Sequence, residues 1–154
     1  MNVKKIIKYF LLLFIAISVI ILIKNELITN NNATIAKDVE ENITASVIAY
    51  YFHGTARCPT CKKIESYAHE AINTGFPEEV LSGDIEWRTI NLEKSENNHF
   101  INDYALTNRT VVLAKFNKGR QTDWKNLNKV WSLVSDKDSF VKYIQDETRS
   151  ILGE

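Results

Sequence analysis

Apolar positions fall along this chain in three rhythms. From Tyr9 to Ile23 they run together without a charge, bounded by Lys8 and Lys24. From Asn25 to Ser46 they thin into polar sequence, with Asn30 to Asn32 in a row and acids at Asp38, Glu40 and Glu41. From Val47 onward the spacing alternates between two residues and three to four, the periods of strands and helices. Val47 to His53 is an almost unbroken apolar and aromatic run, as expected for a strand buried on both faces, and Gly54 ends it. Pro59 suits a first helical turn, and Ile64, Tyr67, Ala68, Ala71 and Ile72 then recur at helical spacing, with Gly75 as the expected terminator. Ile85 to Asn91 alternates as a second strand, and Asn97 to Tyr104 reads as a short helix. Thr110 to Phe116 is rich in β-formers, Asn117-Lys118-Gly119 turns the chain, and Arg120 to Trp124 can pair back as a hairpin. A last helix is expected from Lys137 to Ile151. The predicted order is β-α-β-α-β-β-α.

The amino-terminal run changes this picture of a single α/β domain. Lys4, Lys5 and Lys8 precede it, and basic followed by apolar is an export or anchor signal. Fifteen residues reach only about 22 Å, so a hydrocarbon core of about 30 Å also takes in Ile6 and Ile7, with Lys8 and Lys24 snorkelling. No small-x-small pattern and no lipid-accepting cysteine follows the run, which favours an uncleaved anchor. Three lysines before the span against one after it place the amino terminus in the cytoplasm and the rest outside, as a single-pass cell-membrane protein. The expected organisation is therefore an anchor or signal over 1–24, a polar linker over 25–46 and a folded domain over 47–154.

Charge removes one class of function. The chain carries 19 basic and 19 acidic residues; setting aside Lys4, Lys5, Lys8, Lys24 and Glu26 leaves 15 and 18 after residue 30. That mildly acidic remainder offers no basic stripe for phosphates, so no nucleic-acid partner is expected. The 45% hydrophobic fraction suits one packed core. The two cysteines, Cys58 and Cys61, close a ring so small that loop entropy contributes only roughly 2 kcal/mol. A bridge there is a poor staple and a plausible reagent.

The element order, with Cys58-Pro59-Thr60-Cys61 between the first strand and its helix, resembles a thioredoxin-like fold: a central mixed sheet flanked by helices. More narrowly, His53-Gly54-Thr55-Ala56-Arg57-Cys58-Pro59-Thr60-Cys61, Trp87-Arg88-Thr89-Ile90-Asn91, Asn98-His99-Phe100 and Arg109-Thr110-Val111-Val112-Leu113 resemble the ArsF family, thioredoxin-like proteins described as accessory subunits of a nitrophenyl-compound nitroreductase. The resemblance implies a membrane-anchored thiol-disulfide oxidoreductase with a redox-active Cys58–Cys61 disulfide, no further cofactor, and a protein redox partner. If Cys58 caps the helix that Pro59 opens, its sulfur faces free amides and the positive dipole end, worth at most about 2 kcal/mol, and Cys61 lies about one turn inward. Cys58 is then the nucleophile and Cys61 the resolving thiol. Arg57, Pro59, Thr60, His53 and Arg109 are the candidate tuning residues.

Three departures from the thioredoxin pattern stand out. Arg57 replaces the usual Trp before the first cysteine, and Phe52 stands where a buried acid is usual, six residues before it. His53 or Tyr51 is a candidate replacement for that proton relay, or both simply fill the strand. Arg109 precedes Thr110 where a cis-proline usually faces the dithiol, which favours a dedicated client; Arg109 either supports the Cys58 thiolate or is an exposed, solvated arginine. Two rival functions remain: a thiophilic metal site for Cu or Zn on Cys58, Cys61 and His53, with His69 as a further ligand, and a non-catalytic accessory subunit of a membrane redox complex. Trp87, Trp124, Trp131, Tyr104, Phe100 and Phe140 are expected to pack as core and sheet-face aromatics.

Overall fold

The computed structural model describes residues 43–153. The expected anchor and most of the expected linker lie outside these residues, and among the described residues no helix is long and apolar enough to cross a membrane.

The central strand is β1 (Val47–His53), and its composition explains why. Val47, Ala49 and Tyr51 enter one core cluster while Ile48, Tyr50 and Phe52 enter another, so both faces of the strand are dry, as its unbroken apolar run predicts. β2 (Ile85–Asn91) pairs parallel to β1, from Val47 opposite Ile85 to His53 opposite Asn91. β3 (Val111–Asn117) pairs antiparallel on the other side, and β4 (Arg120–Asn126) closes the sheet in the order β2-β1-β3-β4. Lys118 and Gly119 both have positive φ, 52° and 75°, the backbone of a two-residue hairpin turn matched to strand twist.

Helices cover the face carrying Val47, Ala49 and Tyr51. α1 (Pro59–Gly75) buries Cys61, Ile64, Ala68, Ala71 and Ile72. α5 (Lys137–Leu152) lies against it, with the fully buried Phe140 ring edge-on to Tyr67 at 5.7 Å and Gln145 donating to the Ala71 carbonyl at 3.2 Å. The other face is covered by α3 (His99–Asp103) and its surroundings, where Phe100, Tyr104 and Leu106 pack on Tyr50 and Phe52. Packing begins ahead of β1, since Ile43 and the buried Ala45 join this second cluster.

Gly75 does not terminate α1 by a left-handed cap. It is helical, and the helix stops at Phe76 because the next residue, Pro77, has no amide hydrogen to continue the ladder. A Cβ at 75 would lie 2.8 Å from the Gln145 side chain, which would have to swing aside. Two elements were not expected. α2 (Pro77–Ser82) opens on a proline and two glutamates and ends on the left-handed Gly83; α4 (Val130–Leu133) is a single turn before α5. Trp124, expected to pack on the sheet, is 37% exposed on the edge strand β4, edge-on to Tyr104 at 5.5 Å. An edge strand offers a side chain only one neighbouring strand to pack on, so Trp124 is only partly sheltered.

Candidate functional site

Where β1 ends, Gly54 to Arg57 carry the chain to the mouth of α1, and the two cysteines occupy its first turn. Cys58 is the N-cap, with extended backbone (φ −70°, ψ 159°), and its Sγ accepts from the Cys61 amide at 3.1 Å. Pro59 follows at N1, where a missing amide hydrogen costs nothing. Cys58 is exposed and Cys61 is 1% exposed. Their sulfurs form a disulfide across a Cα–Cα separation of 5.1 Å. No acidic residue occupies the first turn, so nothing there competes with a thiolate on Cys58 for the free amides. Thr60 is half-buried in the same turn.

The fold is thioredoxin-like. Its basis is the topology: a parallel β1–β2 pair, an antiparallel β3–β4 hairpin added on the far side of β1, and a disulfide on the helix that follows the central strand. Solved structures similar to the chain are thioredoxins. A single-site mutant of the thioredoxin of Halobacterium salinarum is 19% identical over 70% of this chain and 79% of its own (TM-score 0.39). Oxidized mitochondrial thioredoxin 3 of Saccharomyces cerevisiae is 16% identical over 74% and 89% (TM-score 0.44), and Fasciola hepatica thioredoxin 14% over 72% and 93% (TM-score 0.40). No protein-family model and no curated protein sequence matches the chain.

Beneath this thioredoxin-like dithiol lies Tyr51, not Phe52. Side chains alternate along a strand, so Phe52 points to the opposite face, among Phe100 and Tyr104. Tyr51 is fully buried, and its hydroxyl donates to the Cys61 carbonyl at 2.7 Å. Burial raises its pKa, against the opposing pull of the Arg57 and Arg109 cations, so it stays a neutral donor at physiological pH. The residue beneath Cys61 is thus a phenol whose hydroxyl donates to backbone.

Arg57 turns inward. It pairs with Glu65 and lies over the Tyr51 ring, 5.9 Å from its centroid. Arg109 takes the other side of the loop. Its guanidinium covers Gly54, where an added Cβ would sit 2.5 Å from one terminal nitrogen, and it makes a long contact of 3.5 Å to Glu93. Its backbone carbonyl accepts the Trp131 indole at 2.6 Å. Neither Glu65 nor Glu93 was anticipated. Glu65 lies one turn beyond Cys61 on the same helix, an i, i+4 relation readable from sequence; Glu93 comes to the site only through the tertiary fold.

His53 is half-buried, stacked on Tyr51 with centroids 6.1 Å apart, and its Nδ1 lies 2.9 Å from the Gly54 carbonyl. His69 is on the exposed side of α1, against Asn73 and Trp87. Among the described residues no three His, Cys, Asp or Glu side chains converge as a metal site, so the structure lends the metal alternative on Cys58, Cys61 and His53 no support.

Proposed function

We propose that the protein is a membrane-anchored thiol-disulfide oxidoreductase with Cys58 as attacking thiol and Cys61 as resolving thiol. The observation that carries this is the contrast within one disulfide: an exposed cysteine at a helix N-cap, its sulfur accepting an amide hydrogen bond, joined to a cysteine in the core. In the reducing direction the Cys58 thiolate attacks a client disulfide and expels one client thiolate. Cys61 then gives up its proton and attacks Cys58, forming the Cys58–Cys61 bond and releasing the second client thiolate. The client gains two electrons and two protons and the dithiol loses them; the oxidising direction is the reverse. The anchor rests on residues 1–24, and the narrower kinship to the ArsF family rests on the four sequence segments quoted above.

The test is capture. Cys61→Ser leaves Cys58 unable to resolve, so the native cell should accumulate a mixed disulfide on Cys58 that dithiothreitol releases. Absence of any adduct, under oxidising and reducing growth alike, sinks the proposal.

A further inference from the structure

The two arginines that flank the segment leading from β1 into Cys58, one in that segment and one over Gly54, differ in what they leave free. Arg57 is half-buried: it pairs with Glu65 and lies over the Tyr51 ring, and its Nε is buried without a hydrogen-bond partner among the described residues. Arg109 is held by its backbone, through the Trp131 indole, while its side chain is 36% exposed over the loop that delivers Cys58. Of the five donors of a guanidinium, one reaches Glu93 at 3.5 Å, and no other is engaged by a described residue. The carboxyl of Glu93 is lowered in pKa chiefly by Thr55, with Arg109 the lesser influence. Lys62 and Lys63 add two exposed cations on the first turns of α1, neither paired with a described acid. Arg57, Lys62, Lys63 and Arg109 thus put four cations on the elements around Cys58, against the two carboxylates Glu65 and Glu93, in a domain that is otherwise mildly acidic.

Resting on the exchange activity proposed above, we infer that the site selects disulfides that carry a carboxylate beside the reacting sulfur, with Arg109 as the group that receives it. A planar fork with free donors matches a carboxylate in two parallel hydrogen bonds, which a lysine cannot imitate. The Trp131 indole holds the Arg109 backbone through its carbonyl, which leaves the side chain to reach out over the loop. The anion is either an acidic residue flanking a client cystine or the carboxylate of a low-mass disulfide.

The experiment uses the full chain, reduced, in non-ionic detergent. Rates of oxidation are measured with dithiodipropionate, hydroxyethyl disulfide and cystamine, which are anionic, neutral and cationic, each divided by the rate of dithiothreitol with the same disulfide. A parallel arm uses cystine peptides flanked by glutamate or by lysine. The anionic-to-cationic ratio should exceed unity, fall about fivefold in Arg109→Gln as one exposed charge contact is lost, and recover in part in Arg109→Lys. In wild type it should collapse at about 1 M salt, where the screening length is about 3 Å. A general change in Cys58 reactivity cancels in the ratio. The arm with the larger Arg109-dependent factor identifies the source of the anion. A ratio near unity in both arms, or one indifferent to Arg109→Gln, overturns the inference. Failure of all three small disulfides, the neutral one included, would instead overturn the exchange reading.

Discussion

Cys58 and Cys61 differ by one helical turn, Cys58 exposed and Cys61 buried, and the side chain beneath the buried one is Tyr51. Its hydroxyl fixes the Cys61 carbonyl at 2.7 Å from inside the core. Tyr51→Phe leaves that carbonyl without its donor at almost unchanged volume, so the oxidised protein should lose about 1–2 kcal/mol of stability, measured as a shift in the urea midpoint at constant m-value. Equal midpoints would mean the hydrogen bond does not contribute. The cysteines and their flanking Pro59 and Arg57 were legible because their chemistry is local. The place of Tyr51 beneath Cys61 could not be read from spacing, because counting six residues back from Cys58 reaches Phe52, and the face a strand residue takes depends on the length of the loop after it. Glu93 and Thr55 could not be anticipated, since their meeting needs the β1–β2 register that sets His53 opposite Asn91.

At the scale of elements, α1 holds the site and α5 holds α1. Phe140 is fully buried between them, and Phe140→Ala should cost about 3–5 kcal/mol, the usual range for emptying a phenylalanine site. Chemical denaturation reads the loss, and a cost under about 1 kcal/mol would contradict this packing. Strands and long helices were legible because their periods persist over seven or more residues, as in Val47–His53 and Lys137–Leu152. α2 went unread although Pro77-Glu78-Glu79 and Gly83 mark its two ends: at six residues with no buried side chain, it has no apolar stripe to announce it. Gly75 was assigned the wrong task for a related reason, since crowding by Gln145 comes from a helix seventy residues away in sequence.

The whole molecule should show its core tyrosines in alkali. Burial raises the pKa of Tyr50, Tyr51 and Tyr143 above the ordinary value. A raised folded pKa means the native state holds these protons more tightly than the unfolded chain. Their contribution is therefore complete below about pH 10 and is lost as pH rises beyond it. Denaturation midpoints should be flat to about pH 9.5 and then fall, and Tyr51→Phe should flatten part of that fall. The central claim, however, concerns one sulfur. With Cys61→Ser leaving a single thiol, the ultraviolet absorbance of the thiolate against pH reports Cys58 alone. The amides and dipole at the mouth of α1 predict a midpoint clearly below the free-thiol value of about 8.5; a midpoint at or above it would contradict the assignment of Cys58 as the attacking nucleophile.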